Sequence, residues 1–326
     1  MAQTTTPPRP LVPQNRRGPL IVAIAVQVAA LILAFHPFDS ASARTWTTIF
    51  LAITFQALPF LVLGVVLSGA LAAFAPPGAL ARLLPNRPAA AVPVAGIAGV
   101  ALPGCECASV PLAGRAVAAG VTPAAALAFL LAAPAINPVV LVSTAVAFPG
   151  RPEMVLARFV ASLLTAVVVG WLWLRVGNDD LVARARDRVA LPGPPLERMR
   201  ASVVHDFLHA GGYLIVGAAV AATLQVVVPR SVLTDIGGTG VLGVLAMATL
   251  AVVLAICSEA DAFVAASLTQ FSPTAQLTFL VVGPVVDLKL VALQMGTFGR
   301  PFTARFAPLT LLVAVAAAVV VGSVLL

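Results

Sequence analysis

Cys105, Glu106 and Cys107 place a carboxylate between two thiols in a stretch otherwise built almost wholly of Ala, Val, Leu, Ile and Gly. Thiol sulfurs are soft donors for thiophilic metals and metalloids, whereas a carboxylate inside a membrane carries a proton or a hard cation. Cysteines at i and i+2 point about 200° apart on a helix but to one side of an extended segment. Pro103, Gly104 and Pro111 disfavour regular helix here, so Cys105 and Cys107 are candidate ligands for one soft atom. The bland alternative is that both are small packing residues, as buried free cysteines often are. Cys257 stands alone in the second half of the chain and on spacing cannot chelate without help.

The same apolar background holds Glu259, Asp261, Asp287 and Lys289. Each such charge costs about 2.5–3.5 kcal/mol to place in a membrane, so keeping several argues for a pathway or a binding site. Cys105, Glu106, Cys107, Asn137, Glu259, Asp261 and Asp287 are therefore the candidate substrate-binding residues, with Glu106, Glu259, Asp261 and Asp287 as proton or cation carriers. Lys289 with Asp287 is a candidate ion pair or coupling element; the plainer reading is that the two neutralise each other or that Lys289 snorkels to the interface. Asn137-Pro138 with Pro134, and Pro284 with Asp287, interrupt apolar runs and free backbone carbonyls where a site could use them. His205, Asp206 and His209 read as an interfacial cluster at the start of a span, with metal binding the alternative.

Apolar elements must position these residues. Of 326 residues, 60% are hydrophobic and only 10% charged, and the mean hydropathy is +1.05. That composition is one of an integral membrane protein, and the absence of strand-like alternation makes its spans helical. The net charge of +7 comes from basic residues lying between apolar runs, where they orient the chain rather than bind nucleic acid. Three cysteines give no disulfide framework.

Residues 1–19 are polar, Pro-rich and read as a disordered cytoplasmic N-terminus. Residues 20–35 form the first apolar run, flanked by Arg16-Arg17 and by Ala41-Ser42-Ala43. That flanking fits an uncleaved first transmembrane helix, with a cleaved signal peptide as the alternative. Spans are expected at 46–74, 124–148, 154–176, 204–228, 239–256, 274–298 and 306–326, with Trp171 and Trp173 as interfacial aromatics. The stretches 89–102 and 108–120 are each too short to cross.

The chain also repeats itself. Pro123, Leu127, Phe129, Leu130, Pro134 and Asn137 recur 150 residues later as Pro273, Leu277, Phe279, Leu280, Pro284 and Asp287. With small gaps, Cys105 answers to Cys257, Glu106 to Glu259, and Phe60, Leu61 and Gly64 to Tyr213, Leu214 and Gly217. Repeat 1 covers 45–176 with a hairpin around 89–120, and repeat 2 covers 204–326 with a hairpin around 239–272. If the first hairpin enters and leaves on one side, fourteen of the 19 basic residues, including the Arg-rich linker 177–200, fall in the cytoplasm. The second hairpin then enters from the opposite side. The expected fold is an all-α integral membrane protein with about 8–9 transmembrane helices, two re-entrant hairpins and two inverted-topology repeats, as in many secondary transporters.

The motifs PGCECASVPLAGR, GVTPAAALAFLLAAPAINPVVLVST, CSEADAFVAAS and FLVVGPVVDLKL resemble a bacterial permease family that includes the ArsP-type organoarsenical efflux permeases. The resemblance runs from about Thr45 to the C-terminus. It implies a multi-pass permease of the bacterial plasma membrane, N-terminus cytoplasmic, exporting a thiophilic compound such as a trivalent arsenical or moving a metal. It also implies a companion membrane protein. Glu106 between the thiols departs from a purely soft site, so another small solute stays open as cargo.

The leading functional reading is a secondary transporter, not an enzyme, needing no cofactor. Its partners are the lipid bilayer and a small-molecule or ion substrate. Lys289 is the one lysine and follows no Gly-rich loop, which excludes a P-loop nucleotide site in this chain. The competing readings are a membrane redox enzyme using the CEC thiols and a non-transporting subunit of a membrane complex.

Overall fold

The computed structural model describes residues 41–74, 78–101, 105–177, 182, 194–227 and 240–326. The N-terminal tail and first apolar run (1–35), Pro103 and Gly104, and most of the 177–200 linker lie outside the described residues.

Every element among the described residues is helical: α1 (Ala41–Phe74), α2 (Ala79–Arg82), α3 (Pro88–Ala98, extended by a 3₁₀ turn, Gly99–Ala101), α4 (Glu106–Ala118), α5 (Pro123–Ile136), α6 (Pro138–Ala147), α7 (Pro152–Val176), α8 (Pro195–Val227), α9 (Val241–Leu254), α10 (Ser258–Ser267), α11 (Pro273–Val282), α12 (Leu288–Thr297) and α13 (Arg300–Leu325). Among the described residues, five stretches are long and apolar enough to cross a membrane: α1, α5 with α6, α7, α8 and α13. The chain is thus an all-helical membrane protein. Among the described residues the run 274–298 is split into the ten-residue helices α11 and α12, and 239–256 yields only the 14-residue α9, so neither is the single long span the sequence suggests.

Proline sets several of the boundaries. It occupies the first position of α3, α5, α6, α7 and α11, where its missing N–H costs no helical hydrogen bond. Asn137 separates α5 from α6 in an extended conformation, and its side-chain oxygen accepts the Val140 N–H at 3.0 Å. Asp287 occupies the corresponding place between α11 and α12 and accepts the Leu290 N–H at 2.6 Å. Both side-chain oxygens, one of a carboxamide and one of a carboxylate, therefore satisfy helix N-termini that the breaks would leave open.

Packing follows the order of the two halves. The pairs α3 with α5, α4 with α5, and α5 with α7 recur as α9 with α11, α10 with α11, and α11 with α13. Between the halves, α4 packs on α12 and α10 packs on α6, while α1 lies along α8 and α7 along α13. Both α3 and α4 flank α5, and α3 has no comparable packing on α6. The likeness is not complete: α1 packs on α4 and α8 on α12, whereas α6 and α10 receive no such cover from either long helix.

Glycine makes the closest of these approaches. A Cβ at Gly64 of α1 would lie 2.5 Å from the Ala108 Cα of α4, and one at Gly217 of α8 would lie 2.7 Å from the Lys289 Cα of α12. Small residues at such contacts let helix backbones meet closely where lipid offers no hydrophobic drive to associate.

Several sequence expectations need correction. Pro111 lies inside α4 rather than breaking it, so only Cys105 is extended and Cys107 belongs to the first helical turn. Trp173 is no interfacial belt residue: it is buried and packs edge-on against Phe302 and Phe306, with centroids 5.2 and 5.5 Å away. Helix α8 begins at Pro195, well before 204, and its Arg198 donates to the Ala73 carbonyl at 3.0 Å. Asp206 and His209 are cross-ties between helices, while His205 bonds its neighbour Asp206 within α8 at 3.2 Å. Asp206 pairs with Arg115 of α4 at 3.3 Å and accepts from Ser68 of α1 at 3.4 Å, while His209 bonds the Gly296 carbonyl at 2.9 Å.

Candidate functional site

Four elements meet at a buried charged centre: the start of α4, the segment joining α9 to α10, the break before α12, and α12 itself. Glu106 is the first residue of α4, where the unpaired N–H groups and the helix dipole favour a negative side chain. Lys289 lies in the first turn of α12, two residues beyond the cap Asp287. Its ammonium is 2.5 Å from Glu106 Oε1 and 3.4 Å from Asp287 Oδ2. It also donates to the Ala255 carbonyl at 3.0 Å and reaches Cys257 Sγ at 3.9 Å. All three charged groups are essentially inaccessible to solvent. Lys289 therefore does not snorkel, and Asp287 is not its only counter-charge.

The Ala255 carbonyl is available because the chain leaves α9 there in the left-handed region, with φ 48°, a conformation costly for a residue bearing a Cβ. One ammonium thus joins the start of α4 in the first half to the α9–α10 segment in the second.

The thiols converge from both halves. Cys105 Sγ, Cys257 Sγ and a Glu106 carboxylate oxygen all lie within 4.8 Å of one another. Cys257 stands alone in its own segment, and the neighbours it would need for chelation come from the other half of the chain. Cys107 is buried beside this triangle but is not part of it. All three cysteines are free.

A second polar group sits next to this centre. Arg158 of α7 is fully buried and donates to Thr144 Oγ1 of α6 at 2.8 Å and to the Ser258 carbonyl at the start of α10 at 3.0 Å. Asp261 and Glu259 are its acidic neighbours. Asp261 is buried, and a Cβ at Gly283 would lie 2.6 Å from its Oδ2, so glycine there leaves room for the carboxylate against the α11–α12 break. Glu259 is half-buried and forms no ion pair with a described basic group. Asn137 stays with its cap, donating to the Ala133 carbonyl at 3.0 Å. Arg158 is thus a buried tie between α6, α7 and α10. An arginine away from both ends of a 25-residue helix whose other charges, Glu153 and Arg175, lie in its first and last turns is the signal that could have found it.

Several polar atoms here have no hydrogen-bond partner among the described residues: Glu106 Oε2, Asp287 Oδ2, Asp261 Oδ2, Arg158 Nε and Ser258 Oγ. Buried groups in that state await a ligand, water or proton. With thiols neutral, Glu106, Asp287 and Lys289 together carry one net negative charge in a water-poor setting. Such an arrangement can hold and exchange a positive charge, and its sulfurs add affinity for a soft one.

No solved structure matches the chain. Two relatives do. A protein of Bacillus subtilis, UPF0718 protein YcgR, is 36% identical over 262 residues, covering 78% of this chain and 89% of the relative. A protein of Streptococcus mutans, named as a two-component membrane permease complex subunit, is 31% identical over 282 residues, covering 84% of this chain and 94% of the relative. The model of the ArsP_1 family, described as predicted permease, matches residues 42–323, almost all of the described helices. The chain belongs to this predicted permease family.

Proposed function

We propose that this protein is a secondary transporter of the bacterial plasma membrane, N-terminus cytoplasmic, that exports a thiophilic solute such as a metal, a metalloid or an organoarsenical against an inward ion gradient. The observation that carries the reading is the convergence of Glu106, Lys289, Asp287, Cys105 and Cys257, drawn from both halves, on one buried centre at interrupted helices. An enzyme would need a reactive group open to substrate; a transporter needs a charged, occluded centre that two moving halves can expose in turn.

In this reading the halves are inverted-topology repeats. The helix pair α3–α4 is a re-entrant hairpin, because both arms flank the same half-span α5 rather than running the length of α5 and α6. The pair α9–α10 is its counterpart around α11. The reciprocal contacts, α4 on α12 and α10 on α6, are those a two-fold axis in the membrane plane would generate. Glu106, Glu259, Asp261 and Asp287 carry the proton or coupling cation, and Lys289 neutralises the centre between cargoes.

A second reading, favoured by the name of the Streptococcus mutans relative, is that transport requires a companion membrane protein and that this chain is one component of a two-part permease. A deletion strain screened for sensitivity to metals, metalloids and organoarsenicals tests the first reading. Resistance restored by the wild-type gene but not by Glu106→Gln supports it, and a resistance profile unchanged by deletion across the panel rejects it. Restoration that depends on a second, co-expressed membrane protein selects the two-component form.

A further inference from the structure

We propose that Cys105 and Cys257, one thiol from each half of the chain, form with Glu106 a binding site for one thiophilic divalent cation, and that Lys289 is a tethered cation which this cargo displaces. The proposal rests on the transport reading for its purpose but not for its geometry. Two sulfurs bound to one tetrahedral ion at about 2.3 Å lie about 3.8 Å apart. The donor triangle already fits within 4.8 Å, so small side-chain movements close it. Glu106 supplies a third ligand, and its Oε2 has no present partner among the described residues.

The ammonium marks the position as one that accepts positive charge. Lys289 lies on Glu106 and touches Cys257 Sγ at 3.9 Å, which are two of the three donors the ion would take. An incoming cation and the ammonium repel each other and compete for the same carboxylate. Lys289 has somewhere to go: Asp287 Oδ2, 3.4 Å away, carries no hydrogen bond, while Oδ1 continues to cap α12.

Charge balance follows directly. As each metal–sulfur bond forms, its thiol releases one proton, so a divalent ion enters as two protons leave and the net charge of the centre is unchanged. The site closes only when both halves contribute, which makes occupancy a signal that joins the two.

Cadmium binding to the purified chain in detergent tests this, read by equilibrium dialysis and by the ultraviolet charge-transfer band of cadmium thiolate. We expect one Cd²⁺ per chain with two thiolates. Cys105→Ser and Cys257→Ser should each halve the band and weaken binding by roughly 100-fold or more, while Cys107→Ser retains both signals. Because Lys289→Gln alone leaves two buried carboxylates facing each other, the competition is tested in Asp287→Asn/Lys289→Gln, which keeps the net charge of the centre. Asn retains the helix cap, and Cd²⁺ should bind about tenfold more tightly once the competing ammonium is gone. Loss of binding in Cys107→Ser with retention in Cys257→Ser would confine the site to the tripeptide and overturn the proposal, as would no Cd²⁺ bound by the wild type. Unchanged affinity in the double variant would overturn the role given to Lys289. Absence of binding beside intact metalloid export would reject this site and leave the transport reading standing.

Discussion

Lys289→Met removes the one ammonium at the centre and leaves Glu106 and Asp287 buried without it. At an effective dielectric of about 20, charges 2.5 and 3.4 Å apart attract by about 6.6 and 4.9 kcal/mol before desolvation, so Glu106 is the stronger partner. Desolvation of all three groups offsets most of this, and the measurable cost of breaking such a buried pair is about 3–5 kcal/mol. Adding Glu106→Gln to Lys289→Met restores the wild-type net charge, because one uncompensated carboxylate disappears with its lost partner. The double variant should therefore recover about 2 kcal/mol relative to Lys289→Met, and the coupling energy is that recovery plus the cost of Glu106→Gln alone. Purified variants titrated with SDS in mixed micelles provide the unfolding midpoints. Additivity of the two single changes to within about 0.5 kcal/mol would show that Lys289 and Glu106 are not energetically paired, and the architecture of the centre would be refuted.

Gly217→Val places branched carbons against the Lys289 Cα and Ala292 Cβ, already 2.7 and 3.0 Å from a simple Cβ, and should cost about 1–3 kcal/mol by overpacking in the same SDS titration. Gly211→Val is its control, since a Cβ there meets only Leu61 Cδ2 at 3.8 Å, and it should unfold near the wild-type midpoint. Asn137→Ala removes the α6 cap and should lower stability by about 0.5–2 kcal/mol, whereas Asn137→Asp, which retains a capping oxygen, should lose less. Arg158→Gln should loosen α10 from α6 and α7, raising hydrogen exchange at the start of α10 while leaving α4 unchanged. A reporter fused after Asp187 should read as cytoplasmic and one after Asp235 as periplasmic, because that placement follows the excess of arginine. A periplasmic signal at Asp187 would remove the hairpin topology.

The identity of the central residues was readable in the sequence because charge is expensive inside a membrane: Glu106, Asp287 and Lys289 announce themselves against an apolar background. Proline announces the helix breaks in the same way, since Asn137-Pro138 and Pro284 cannot continue a regular helix. What sequence spacing does not carry is distance between halves. Cys257 meets Cys105 only through tertiary packing, 152 residues apart in the chain, so a rule about neighbouring cysteines favoured Cys107 instead. The same limit hid Arg158, whose carbonyl and hydroxyl partners come from α10 and α6. Pro111 misled for a local reason. In α4 the helix passes through it, losing one backbone hydrogen bond that the other turns outweigh. Arg198 and Arg200 read as linker by composition, yet α8 extends through both, where Arg198 gains the Ala73 carbonyl as a partner.

Proteoliposomes containing only this chain, with a pH-sensitive dye inside, measure the central claim that the convergent centre moves cargo. Cd²⁺ presented outside should enter wild-type liposomes with protons leaving in step, and Glu106→Gln, folded and reconstituted to the same density, should show neither flux. Equal cadmium and proton fluxes in wild-type and Glu106→Gln liposomes would contradict the account, because cargo would then be passing elsewhere than the centre built from the two halves.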